Sequence, residues 1–224
     1  MKSSRQDNIR LFFSVVLVLV FTAYLNIAHS EEARQNIRKV NGSIQIAESQ
    51  TAANVSTVNG SIRVNDYADV AKVSTVNGGV QLYDKSVIRS AETVNGSIRV
   101  GKEVTVRDSL NTVNGGIKVE SSSRIGEDIT TVNGSIELIA ATVAGDVRTV
   151  NGDVRVLSGS VIEGDLIIEK RKSRPWLLGF NQSARKTTVE IGADSQVNGV
   201  IYLGREVDLI IHDTAVVGSI DRDY

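Results

Sequence analysis

"TVNGSIRV" occupies residues 57–64 and returns at 93–100. Val-Asn-Gly recurs along most of the chain, with its Asn at 41, 59, 77, 95, 114, 133, 151 and 198, and the first seven copies are 18 or 19 residues apart. So regular a period is read before any local motif. Val216-Val217-Gly218-Ser219-Ile220 is a further copy, 19 residues after Val197, and Ile162-Glu163-Gly164-Asp165 is a displaced, weaker one.

Counted from the Val of Val-Asn-Gly, position 1 is Val throughout and is expected to point inward, as at Val94. Position 5 is Ile or Val (Ile44, Ile62, Val80, Ile98, Ile117, Ile136, Val154), and position 7 is Ile46, Val64, Leu82, Val100, Val119, Leu138, Val156. Position 6 between them is polar, which is the period-2 alternation of a half-buried strand. Apolar pairs such as Val70 with Val73 and Val143 with Val147 follow later in each unit. Helix is a poor alternative, because Gly and β-branched residues recur throughout and both disfavour it.

Each unit therefore supplies two or three short strands separated by corners. Its few inward side chains contribute about 1.5–3 kcal/mol each when fully buried. Ordering the backbone costs at least about 1 kcal/mol per residue. Pairing between units must supply much of the difference, so the units stack. The expected fold is all-β: a single-stranded parallel β-helix, or β-solenoid, of about ten coils at about 4.8 Å spacing. Asn-Gly then marks a corner, where Gly adopts φ > 0 without steric cost and Asn tolerates it. Asn41, Asn59, Asn77, Asn95, Asn114, Asn133, Asn151 and Asn198 would stack as an amide ladder, as identical side chains do in stacked strands. The Thr before each Val, at 57, 75, 93, 112, 131 and 149, would make a second ladder.

Composition agrees. The 224 residues are 41% hydrophobic but only 4% aromatic, with 19 Gly and 1 Pro, as suits a core of Val, Ile and Leu. There is no Cys, which excludes disulfides, thiolate metal sites and a Cys nucleophile. The net charge of −1 gives no global field for nucleic acid.

The N-terminus addresses the compartment. Lys2, Arg5 and Arg10 precede the uncharged run "LFFSVVLVLVFTAYLNIA" at 11–28. "AHS" at 28–30 places small residues where a signal peptidase cuts. The run is also just long enough to span a bilayer. Residues 1–30 are expected to be a signal peptide cleaved after Ser30, the alternative being an uncleaved anchor through 11–28. Either way the remainder is exported, to the periplasm or cell surface of a bacterium, because the basic end stays cytoplasmic.

Repeated "TVNGSI" at this period resembles the bacterial adhesin-like β-solenoid domains, a family largely of unknown function; the likeness covers about 40–156. "VEIGADSQVNGVIYLGREVDLIIHDTAVVGSI" at 189–220 resembles the bactofilins, polymer-forming β-helix scaffold proteins. Both resemblances imply a right-handed parallel β-helix, and neither brings a catalytic residue. Bactofilins act on the cytoplasmic side of the membrane, whereas this chain begins with an export signal.

One stretch breaks the pattern. The solenoid repeats run over 31–168 and resume over 188–224, and 169–187 is an insertion loop. It holds the only Pro (Pro175) and the only Trp (Trp176). Lys170, Arg171, Lys172, Arg174, Arg185 and Lys186 give it six positive charges and no negative ones. Two readings stay open. Trp176, Leu177, Leu178 and Phe180 fold back over the solenoid, or they form an exposed tip with a basic collar. Such a tip suits a membrane surface, a protein partner or an anionic cell-wall polymer. Position 6 is a second candidate: Arg63, Arg99, Lys118 and Arg155, interrupted by Glu137, line one face. That face is either a polyanion groove or a solvated strand face.

Enzyme readings find little. Glycoside hydrolysis needs two carboxylates facing each other, yet Asp66, Asp84, Glu120 and Asp153 fall in different phases of the repeat. The regular coils offer only Tyr67 and Tyr83 for stacking on sugar, and His212 is the only His after residue 30. No phosphate-binding Gly-rich loop opens a helix. Ice binding through the Thr-Val-Asn columns is a weaker idea, since a corner is not flat. Asn-Gly-Ser sequons at Asn41, Asn59, Asn95 and Asn133 are by-products of the repeat. The expectation is a non-catalytic exported scaffold or spacer without cofactor, binding itself or another envelope protein through its loop or its ends. The alternative is an adhesin or glycan-binding module. Unpaired end strands favour head-to-tail assembly unless 31–39 and the final "DRDY" act as polar caps.

Overall fold

The computed structural model describes residues 34–170 and 186–224. The segment expected to be a signal peptide or anchor lies outside the described residues. Over 37–170 and 186–224 the chain is a parallel β-solenoid, with no helix among the described residues. One sheet has nine strands, from Ile44–Ile46 through Val207–Ile211, one for each coil. The coils thus number nine, not ten, because Ile162-Glu163-Gly164-Asp165 lies in the same coil as Val154–Leu157 and does not form one of its own.

Register follows the repeat. Ile44 lies beside Ile62, then Val80, Ile98, Ile117, Ile136, Val154, Val189 and Leu209 in turn. All of these but Leu209 are buried, and so are the position-7 residues from Ile46 to Val156. Val70, Val73, Val143 and Val147 complete the core from the opposite wall at 0% exposure.

The second sheet changes form along the stack. Thr51–Asn59, Asp69–Asn77 and Val87–Asn95 are unbroken nine-residue strands. Val87–Asn95 then pairs with two separate strands, Thr105–Val106 and Leu110–Asn114, and the sheet forks. One added residue at Arg107-Asp108-Ser109 makes a new corner there. Later coils keep that corner with Gly126, Gly145, Gly164, Gly199 and Gly218. Early coils therefore have two strands and later ones three. The second Val-Asn-Gly type belongs to this new corner: Val197 pairs with Ile162 and Val217, not with the Val-Asn-Gly column.

The expected inward Val at position 1 is wrong. Thr93 is buried at 4% exposure and Val94 faces outward, half-buried. Parity within a strand does not carry across the Asn-Gly corner, where the chain changes direction. Val58 through Val150 instead form an outer column whose methyls shield one another, while Val40, at the end of the column, is 62% exposed.

The expected caps are also strands. Residues 37–39 belong to Ile37–Asn41 of the first coil, and Asp221 and Arg222 to Ile220–Arg222 of the last.

Ile98→Ala should cost about 2–5 kcal/mol in denaturant unfolding, and Val94→Thr under about 1 kcal/mol. The reverse order would mean that the register is displaced by one residue.

Candidate functional site

The Thr-Val-Asn-Gly corner is built by three different interactions. Asn59 Nδ2 donates to Asn41 Oδ1 at 2.9 Å, and the same bond links Asn77 to Asn59, Asn95 to Asn77, Asn114 to Asn95, Asn133 to Asn114 and Asn151 to Asn133. The amide ladder thus contains seven of the eight expected residues. Asn198 is not in it. It sits at the later corner and donates to Glu163 Oε2.

Thr57, Thr75, Thr93, Thr112, Thr131 and Thr149 stack in register as the expected second column, and their hydroxyls bond backbone, not one another. Thr75 Oγ1 donates to the carbonyl of Gly60 at 2.8 Å, Thr93 to that of Gly78 and Thr112 to that of Gly96. Each buried hydroxyl satisfies a glycine carbonyl in the preceding coil. Nor is left-handed backbone the reason for the glycines, since only Gly42 of this column has a positive φ. A Cβ on Gly60, Gly78, Gly96, Gly115, Gly134 or Gly152 would fall far inside contact distance of the glycine carbonyl one coil before. Close approach of backbone to backbone requires glycine here.

Left-handed residues occupy a different corner. Ser49, Tyr67, Lys85, Glu103, Ser122, Ala140, Ser158 and Asp194 all have φ between 48° and 62°. Their amides still bond the adjacent coil, as Tyr67 N does to Asp84 O and Lys85 N to Lys102 O. Stacking offsets a conformation that L-residues ordinarily avoid. No shared residue type marks this corner, so sequence reading missed it.

Carboxylates have structural partners too. Asp128, Asp146 and Asp165 stack at the later corner, and each Oδ1 accepts a backbone N–H from the next coil at 2.8 Å. Asp84 accepts Lys102 N, and Asp153 accepts Thr188 N. His212 follows a strand, and its Nδ1 accepts the Thr214 amide. No group of three His, Asp or Glu side chains among the described residues is placed to hold a metal ion.

The position-6 column runs Gln45, Arg63, Gln81, Arg99, Lys118, Glu137, Arg155, each beside the next. Its later half is internally neutralised. Lys118 bridges Glu120 at 3.0 Å and Glu137 at 3.1 Å, and hydrogen bonds to these two carboxylates raise its pKa. Arg155 meets Glu137 and Glu190. No carboxylate of the described residues lies within ion-pairing distance of Arg63 or Arg99.

Arg171, Lys172, Arg174, Trp176, Leu177, Leu178, Phe180 and Arg185 of the insertion lie outside the described residues. Its two ends are described. Lys170 bridges Asp223 at 3.1 Å, and Lys186 bridges Glu206 at 3.0 Å and Asp208 at 3.1 Å. Hydrogen bonds donated to those two carboxylates, first to Glu206, raise the pKa of Lys186. Both ends of the insertion are thus tied to the last coil.

That coil differs from the others. Leu209, Ile211, Ala215, Val217 and Ile220 point inward but are only partly buried, whereas Val189, Ile191, Val197 and Ile201 one coil earlier are at 0% exposure. Ile210 and Val216 are exposed beside them. Among the described residues, the three strands of this coil each pair on one edge only.

No protein-family model matches the chain, and comparison with curated proteins and with solved structures finds no match.

Thr93→Val should cost about 1–3 kcal/mol, because it leaves the Gly78 carbonyl without its partner. Asn198→Ala should cost less than Asn95→Ala, which breaks two ladder bonds. Thermal unfolding of the three variants side by side checks both orderings.

Proposed function

We propose that this chain is a non-catalytic scaffold or spacer of a bacterial envelope that associates end to end through its last coil. The observation that carries the reading is the last described coil: five partly buried apolar side chains beneath three strands whose outer edges pair with no described residue. An unpaired edge over apolar surface is a template for another chain. An apolar end of this kind marks an interaction site.

Other features support it. The Thr, Asn and Asp columns are engaged in bonds between coils, so the repeat spends its polar groups on rigidity. The likeness to bactofilins and adhesin-like solenoids agrees with a scaffold and implies right-handed winding. The basic run and apolar segment of 1–30 imply export, by a cleaved signal or a retained anchor. The 170–186 insertion, rich in cations and Trp176, Leu177, Leu178 and Phe180, is the second binding element. Its salt-bridged ends place its attachment beside the open coil, so a partner held there is an envelope protein or an anionic surface.

Light scattering on the purified full chain tests the proposal. The wild type should gain mass with concentration, and Ile220→Lys should remain monomeric with an unchanged β-rich circular-dichroism spectrum. A wild type that is monomeric at every concentration, or an Ile220→Lys variant that associates equally well, rules out this end as the contact.

A further inference from the structure

Outside the last coil, the face of the nine-stranded sheet presents charge in a regular spatial pattern. Arg63 and Arg99 face outward with Gln81 between them. The two guanidinium groups therefore rise from alternate coils, about 9–10 Å apart at their backbones. Along one side of this ridge runs a low column of Ser61, Gly79, Ser97 and Gly116. Beside Arg99 the surface dips into a shallow groove lined by Ser97, Gly116 and Ser135 and closed at its far end by the Lys118–Glu137 pair. On the opposite side Tyr83 projects next to Gln81, half-buried. Beyond Lys118 the ridge turns acidic at Glu137.

We infer that this face binds a linear polysaccharide carrying a carboxylate on every second sugar. Three features select that chemistry. First, in an extended chain of β-linked sugars, including one that alternates β-1,3 and β-1,4 linkages, the disaccharide is close to two coil spacings long. Carboxylates on alternate sugars then recur at the interval that separates Arg63 from Arg99. Second, guanidinium pairs with carboxylate through two parallel hydrogen bonds, and no carboxylate of the described residues pairs with either arginine. Third, the residues between them suit a neutral sugar. Gln81 and the Ser61 and Ser97 hydroxyls bond hydroxyl or acetamido groups, and Tyr83 offers an aromatic surface.

The same pattern disfavours a densely charged polymer. Nucleic acid carries a phosphate at every step, which would set anions against Gln81 and Glu137, and the chain's net charge of −1 provides no general attraction. The stretch from Arg63 to Arg99 covers three coils, enough for a short run of sugars. The inference is independent of end-to-end association, because it uses the side of the solenoid and not its last coil.

Calorimetric titration of the full chain at low salt tests it with three octasaccharides: hyaluronan, with a carboxylate on alternate sugars; chito-octaose, which is neutral; and heparin, which is densely charged. Hyaluronan should bind most tightly. Arg63→Gln with Arg99→Gln should weaken it about tenfold or more, as loss of charge-assisted hydrogen bonds does. Arg124→Gln on the other sheet should leave it unchanged. Arg63→Gln with Gln81→Arg keeps the charge but moves it to adjacent coils, and should not restore binding. No binding of hyaluronan overturns the inference, as does binding that the double variant leaves intact. Equal or tighter binding of heparin, or full recovery in the shifted-charge variant, overturns it by showing that charge alone, and not its spacing, is recognised.

Discussion

The constraint on which this structure depends is the close approach of one backbone turn to the next at the Thr-Val-Asn-Gly corner. From Gly60 to Gly152, in six successive coils, a glycine lies against the carbonyl of the glycine before it, with no room for a Cβ. That carbonyl is partly shielded from water and needs a donor. The threonine of the following coil supplies it. On the outside, an asparagine spans the same gap with its amide. Three neighbouring positions are thus fixed by one geometric fact, the spacing of stacked strands. This is why the sequence repeats at the corner more strictly than in the core, where Ile, Val and Leu interchange.

The ladders also have a direction. Every Asn Nδ2 donates to the Oδ1 of the coil before it. Aligned amides polarise one another, so a bond in mid-ladder is supported from both sides. Solenoid stability is close to a sum of terms between neighbouring coils. The consequence is an interior that gains from each added coil and an end that does not. Leu209, Ile211 and Ile220 of the last described coil stay half-buried. A second copy docked there, as proposed, would supply the missing neighbour with the same chemistry.

Period, strand alternation and ladder formation were legible in the sequence because they depend on residue type at fixed spacing. The inward columns at positions 5 and 7 follow from Ile98 and Val100 alone. The orientation of Val94 was not legible, because it requires knowing that the chain turns at Asn95-Gly96 and resets the parity. The role of glycine was misread for a related reason: positive φ is a local property, whereas the clash of a Cβ with another coil is not. The left-handed corner leaves no signature at all, since Ser49, Tyr67, Lys85 and Glu103 have only the backbone conformation in common. Asn198 shows the limit of motif identity. The tripeptide Val-Asn-Gly serves one corner at 58–60 and another at 197–199, and only the pairing of Val197 with Ile162 distinguishes them.

The position-6 column divides because charge is the one property the fold leaves free there. Its side chains point outward and contribute little to packing, so Gln, Arg, Lys and Glu are all compatible with the strand. In the later coils Lys118, Glu137, Arg155 and Glu190 alternate in sign and hold one another. Such exposed pairs add little stability each, but they leave that part of the face electrically closed. In the earlier coils Gln81 stands where a carboxylate would have closed the pair with Arg63 and Arg99. A strand face needing only solubility is served by alternating signs, as the later coils demonstrate. Cations held at a two-coil interval with neutral hydrogen-bonding groups between them instead match an external anion of the same period, and that difference within one column separates a binding face from a merely solvated one.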